Sequence, residues 1–217
     1  MSAVAIDGPA GAGKTTVARA LADRLGWTYI DTGAMYRAVA FAVLESGIDP
    51  NDAERAAAKA WAATIELTPG AVLLDGRDVT NAIRKQEVSQ AASLVSQHPG
   101  VRARLVELQR AEARRADVVM EGRDIGTVVL PDADVKVFLT ATLEQRAVRR
   151  AEELGSAEDA EAIREAIELR DRTDEQRSAS PLARATGAVV VDTTDKSIEQ
   201  VVEEIAALVA RARVGLG

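Results

Sequence analysis

The chain contains no cysteine, and its only histidine is His98. Disulfides and thiolate nucleophiles are therefore excluded, as is any metal site built from Cys and His. Aromatic residues amount to 3% of the chain, while apolar residues amount to 47%. A core of ordinary size must then be assembled from Ala, Val, Leu and Ile. Lysine is scarce: the 27 basic residues divide into 5 Lys and 22 Arg. The net charge is −7, which argues against the basic face expected of a nucleic-acid or anionic-membrane protein. No apolar run approaches the ~20 residues that a membrane-spanning helix needs. The opening residues MSAVAIDGPAG enter a motif at once, so no secretory leader fits there. These absences predict a soluble, cytoplasmic protein without nucleic-acid or membrane partners; a monomer is expected.

What is present reads as one α/β domain over residues 1–217, with small insertions. Short apolar runs at Ala3–Ile6, Trp27–Asp31, Val118–Glu121, Val135–Leu139 and Ala188–Val191 predict buried strands. Helical spacing follows them. Val17, Leu21 and Leu25 recur at intervals of four before Gly26, and Ala34–Glu45 carries Met35, Val39, Ala42 and Val43 on one side. Further helices are expected over Gln86–Ser96 and Val101–Arg115. Thr142 with Gln145, and Ser197 with Gln200, have the spacing of capping boxes. Strands alternating with helices imply a parallel sheet covered on both faces, with ligands beyond the carboxyl ends of the strands.

Between about Pro50 and Val88 the alternation breaks. A short Ala-rich helix is expected at Asp52–Trp61, then hairpin-like strands at Thr64–Leu67 and Val72–Leu74. This stretch reads as an insertion. Trp27 and Trp61 are expected to pack in the core or the insertion, and His98 to be a turn residue before Pro99.

The sharpest signal is Gly8-Pro9-Ala10-Gly11-Ala12-Gly13-Lys14-Thr15, a full G-x-x-x-x-G-K-[ST] match between a strand and a helix. Glycines let successive amides turn inward around an anion, and the helix N-terminus adds partial positive charge. Lys14 is expected to reach the β- and γ-phosphates of a nucleoside triphosphate, Thr15 to ligate Mg²⁺, and Thr16 to touch phosphate. Binding of ATP or GTP follows. No guanine-reading N-K-x-D segment occurs, and the length, the insertion and the arginine pattern favour a small-molecule kinase. Glu121, at the end of an apolar strand, keeps a hydrolysing ATPase open as an alternative.

Three unusual segments stand where strands should end: Asp31-Thr32-Gly33-Ala34-Met35-Tyr36-Arg37, Glu121-Gly122-Arg123-Asp124-Ile125-Gly126-Thr127, and Arg170 through Arg177 followed by Ser180-Pro181-Leu182. With IDGPAGAGKTT, IRKQEVSQAAS, HPGVR and EGRDIGTVVLPDAD they resemble the bacterial cytidylate kinase family over nearly the whole chain. Glu121 stands where that family commonly has Asp, Thr15 where Gly also occurs, and Thr32 where Ser is common.

The resemblance implies a three-layer P-loop kinase fold with an enlarged monophosphate-binding insertion, roughly residues 32–100, and a short lid, roughly residues 151–165. It implies transfer of the γ-phosphoryl of ATP to CMP or dCMP, with Mg²⁺. Arg37 and Arg123 would grip the acceptor phosphate, with Thr32 beside it. Ser93, Arg102 and Asp124 would read the base, Arg170 and Asp174 would hold the sugar, and Arg177 would stand near the phosphates. Lys14, Arg123 and Arg177 form the expected catalytic set. Arg146, Arg149 and Arg150 would be donor-side or lid arginines, against the plainer reading that they pair with Glu144, Glu152 and Glu153 on their own helix. On the plainer reading Asp171 could cap or pair with Arg172, and Asp124 and Arg123 could pair with each other rather than with substrate. Acceptors other than CMP (UMP, or an alcohol such as shikimate) and a regulatory ATPase are the alternatives.

Overall fold

The computed structural model describes residues 1–154, 160–176 and 180–214. They form two compact units, one of residues 1–29 with 113–217 and one of residues 30–112.

The first unit is built on a sheet in the order β2-β6-β1-β7-β8. Its strands are β1 (Ala3–Asp7), β2 (Thr28–Asp31), β6 (Val118–Gly122), β7 (Val135–Thr140) and β8 (Val189–Asp192). β1 runs parallel to β6 and β7, and β7 runs parallel to β8. Val4, Ile6, Val119, Val137 and Leu139 are buried, and they pack with Val17, Leu21, Val201, Val202 and Ile205 of helices α1 (Lys14–Leu25) and α8 (Ile198–Val214). A central strand buried on both faces loses the polar alternation of a half-exposed one, which is why these runs read as continuous apolar segments. Asp7 lies opposite Gly122 on one side and Phe138 on the other. The phosphate loop and the Arg123-Asp124 corner therefore leave the sheet at the same, carboxyl, end.

The second unit contains α2 (Thr32–Glu45), α3 (Ala53–Ala62), the antiparallel sheet β3 (Ile65–Thr68), β4 (Ala71–Leu74) and β5 (Arg77–Asp78), a 3₁₀ turn at Ala82–Arg84, α4 (Gln86–Val95) and α5 (Pro99–Ala113). Its core is largely alanine and valine: Ala34, Ala38, Val39, Ala42, Val43, Ala56, Ala60, Val88, Ala91, Val95 and Val101. Small side chains let helices approach closely. A Cβ added to Gly100 would stand 2.7 Å from the Cβ of Ala57, so α5 rests on α3 at van der Waals distance only because Gly100 has none.

Several boundaries depart from the sequence expectation for local reasons. α2 begins at Thr32 rather than Ala34, because the Asp31 carboxylate accepts the Ala34 N–H at 2.8 Å and so caps the helix earlier. α5 begins at Pro99, whose missing N–H costs nothing in a first turn. The strand pair in the insertion gains a short third member, β5. The box at Ser197 closes in both directions, with bonds of 2.8 and 3.3 Å to and from Gln200. At Thr142 only half forms: its hydroxyl accepts the Gln145 N–H at 3.3 Å, while its own N–H goes to the Thr194 hydroxyl at 3.1 Å.

Trp61 is not core, as its ring is half exposed, with the Arg104 guanidinium 5.1 Å from its centroid. Trp27 is half-buried beneath Arg213 at 4.8 Å. His98 does sit in a turn, its Nε2 2.7 Å from the Pro50 carbonyl oxygen. No helix among the described residues is long and apolar enough to cross a membrane.

Candidate active site

Between β1 and α1 the chain turns through Gly8, Gly11 and Gly13 at φ of +150°, +75° and +82°. Gly8 is required by contact as well as by angle, since a Cβ there would lie 2.1 Å from the Leu139 carbonyl oxygen of β7. Gly13 precedes α1 and no side chain caps the helix, so the first amides are open to an anion. Thr15 and Thr16 are exposed at this first turn. Lys14 is buried, and its Nζ donates to the Pro9 carbonyl at 2.7 Å. Burial, then the nearby Arg123 and Arg170 charges, push its ammonium down to about 7, while Glu121 and Asp174 oppose that. A lysine held this way favours the arrival of a polyanion.

The back of the loop is fastened by side chains from later elements. Arg146, on α6 (Leu143–Leu154), donates from Nη1 to the Ala10 carbonyl at 3.2 Å. The same nitrogen pairs with Asp171 of α7 (Ala160–Gln176). The Thr193 hydroxyl donates to the Ala12 and Thr140 carbonyls at 3.3 and 3.1 Å. Arg149 donates to the Thr193 hydroxyl at 2.9 Å and to its carbonyl at 2.6 Å. Arg150 is half-buried on the same helix. Arg146 and Arg149 thus reach loop-side partners rather than Glu144 and Glu152. Asp171 does not pair with Arg172, because neighbours in sequence do not face one another on a helix. Arg172 pairs instead with Glu168 at 3.4 Å.

At the end of β6, Glu121 is buried and accepts the Tyr29 hydroxyl at 2.6 Å. Arg123 donates from Nε to Asp174 at 2.8 Å, the two side chains being 17% and 7% exposed. Arg123 thus has a carboxylate partner 51 residues away in Asp174. Asp124 is buried, and its carbonyl accepts the Val128 and Val129 amides of a π-helical turn, Ile125–Val129. Arg170 is half-buried on α7, one turn before Asp174. The Leu182 amide bonds to the Asp174 carbonyl at 2.8 Å, tying Ser180-Pro181-Leu182 to that helix. Arg177 lies outside the described residues, as do residues 155–159 of the expected lid.

Within the 30–112 unit, Thr32 is buried at the head of α2. Arg37, one turn on, is held by Asp31 at 3.0 Å and is not simply solvent-facing. Arg102 of α5 is 4% exposed, donating to the Ser96 carbonyl at 3.2 Å with its guanidinium 5.7 Å from the Tyr36 ring centre. Ser93 is half-buried on α4. A buried arginine needs a counter-charge or several acceptors, which marks Arg102 as more than a surface residue.

The family model for cytidylate kinase matches residues 4–211. The chain belongs to the cytidylate kinase family. It is 52% identical over 219 aligned positions to the cytidylate kinase of Solibacter usitatus (strain Ellin6076), spanning 99% of this chain and 94% of that one. It is 54% identical over 205 positions to the cytidylate kinase of Caldanaerobacter subterraneus subsp. tengcongensis, spanning 93% and 92%. A solved shikimate kinase from Bacteroides thetaiotaomicron superimposes with a TM-score of 0.52 at 13% identity, covering 96% of this chain and 98% of that one. At that identity the likeness concerns the P-loop kinase fold alone.

For this cytidylate kinase family member, the sequence reading missed Asp7, Asp31 and Thr193. Asp31 had a signal, a capping residue before a helix. Asp7 and Thr193 bond to segments more than a hundred residues away, and no local pattern announces that.

Proposed function

We propose that the chain transfers the γ-phosphoryl of ATP to CMP or dCMP, giving ADP and CDP or dCDP. The observation that carries this reading is Lys14, buried behind an uncapped helix N-terminus and influenced by Arg123 and Arg170. Those cations come from three separate segments, which suits a transition state whose charge spreads over a transferring phosphoryl group.

Gly8 to Thr16 are proposed to cradle the phosphates of ATP, with Lys14 on the β- and γ-oxygens. In the 30–112 unit, Arg37 and Thr32 are proposed for the acceptor phosphate, and Ser93 and Arg102 for the base. In the other unit, Asp124 is proposed for the base, Arg123 for the phosphate, Arg170 and Asp174 for the sugar, and Arg177 for the phosphates. A carboxylate accepts well from the cytosine 4-amino group. Facing the uracil 4-carbonyl it would oppose two acceptors, at a cost of ~1–3 kcal/mol.

The acceptor is already anionic, so alignment and charge neutralisation suffice without a strong base. The exposed Thr15 hydroxyl, a hard oxygen donor at the head of α1, fits one ligand position of a Mg²⁺ shared with ATP. When bound, that ion would screen the β- and γ-oxygens. Arg146, Arg149 and Arg150 are proposed to act on the donor side. The stretch 151–165 is proposed as a lid that keeps water from the γ-phosphoryl group. This reading places the enzyme in the cytoplasm, where its nucleotides are, acting as a monomer.

An acceptor panel tests the proposal. With ATP and Mg²⁺, ADP release is expected to be fast with CMP and dCMP and far slower with UMP, AMP, GMP or shikimate. ADP release independent of any acceptor would instead support a regulatory ATPase.

A further inference from the structure

Asp7 closes β1 and stands immediately before the phosphate loop. It is 3% exposed. Its Oδ1 accepts the Ile125 amide at 2.7 Å and its Oδ2 accepts the Gly126 amide at 2.8 Å. Those two amides open the π-helical turn directly after Arg123 and Asp124. The same turn is tightened from the other side by the Asp124 carbonyl, which accepts from Val128 at 2.9 Å and Val129 at 3.2 Å. One carboxylate therefore fastens the corner bearing two proposed acceptor residues to the residue that launches the phosphate loop.

The choice of a carboxylate is informative. A buried charge costs several kcal/mol unless amides compensate it. Holding a turn in place would need only a neutral acceptor. A carboxylate alone presents two acceptors in one plane, matched to two consecutive amides, with no donor to oppose either. An amide or a protonated acid would aim a hydrogen at one of those N–H groups. The charges around it are mixed. Burial pushes the Asp7 carboxyl up to about 6, Asp124 adds to that, and the two amides and Lys14 pull it down. The Lys136 stem lies against Gly126, its Cδ 3.4 Å from where a Cβ there would stand.

We infer that Asp7 is a positioning residue for the acceptor: by clasping the Ile125 and Gly126 amides it holds Arg123 and Asp124 in register with the phosphate loop. The inference rests on the acceptor role proposed above for Arg123 and Asp124. CMP affinity then depends on the ionised state of a side chain that touches no substrate.

Steady-state kinetics of Asp7→Asn and the unaltered enzyme between pH 5.5 and 8 test this, varying CMP and ATP separately. At pH 8 the KM for CMP is expected to rise about tenfold, with the KM for ATP within twofold. The variant-to-parent ratio of KM for CMP is expected to shrink towards unity by pH 5.5, where the parent loses its own clasp. Taking the ratio cancels titration of the CMP phosphate, whose second pKa is about 6. A ratio that stays near one, stays flat with pH, or moves equally for ATP would overturn the inference. If the parent does not phosphorylate CMP, the acceptor reading itself fails. A second measurement needs no variant. Amide exchange at Ile125 and Gly126 in the parent, corrected for intrinsic rate, should lose protection between pH 7.5 and pH 5 while Ala5 in β1 does not. Unchanged protection at both amides would equally overturn the clasp.

Discussion

Lys14 joins two properties that rarely coexist: it is buried, and its ammonium is crowded by arginines rather than matched by carboxylates alone. Such a group is unfavourable in the empty loop and favourable once triphosphate arrives, and it speeds transfer to the extent that it holds the transition-state oxygens more tightly than those of bound ATP. Removing one electrostatic contact of this kind costs ~2.7–4 kcal/mol of activation energy. Lys14→Ala is therefore expected to lower kcat at least a hundredfold, read by coupled ADP release at saturating CMP. Near-normal turnover would show that the loop holds ATP without assisting transfer. This residue was legible in the sequence because all its context is local: strand, glycine turn, helix. Asp7, seven positions earlier, was not legible, although its chemistry is as specific. Its partners Ile125 and Gly126 are 118 and 119 residues away, and a strand-terminal Asp before a glycine reads as an ordinary turn.

Element by element, strand and helix positions followed from apolar spacing, clearest in β1 and β6, which are buried along nearly their whole length. Side-chain partnerships were less accessible. Arg146 had two sequence readings, a donor-side arginine or an ion pair along its own helix, and the structure sends it to Ala10 and to Asp171 on the neighbouring helix. That pair is 11% and 14% exposed, so stripping one partner leaves a charge poorly solvated. Removing one member of a buried pair costs about 3–5 kcal/mol, and water reaching this one lowers the expectation to about 2–3. Arg146→Leu and Asp171→Leu should each destabilise by that amount in urea unfolding. The double variant should be no worse than the more damaged single. Additive losses would mean the two side chains act independently.

For the molecule as a whole, stability should carry the imprint of Asp7. Its folded value of about 6 stands above its ordinary 3.8, so the neutral form suits the fold better than the ion. The resulting contribution is full below pH 4 and is lost as pH rises through 6. At 1.36 kcal/mol per pH unit the loss is on the order of 3 kcal/mol. Urea unfolding at pH 4.5 and 7.5 is expected to show Asp7→Asn gaining on the parent as pH rises. A difference between the two proteins that does not change with pH would show that the carboxylate is not strained by burial. Function and stability then pull oppositely on one group, as is common where a site requires a charge in the interior.

The two indoles have a practical bearing. Trp27 belongs to the nucleotide-loop unit and Trp61 to the 30–112 unit, each lying under an arginine near the surface. With only two tryptophans in the chain, Trp61→Phe and Trp27→Phe would each leave a single fluorophore. Denaturation followed by emission from one and then the other would say whether the two halves melt together or in sequence.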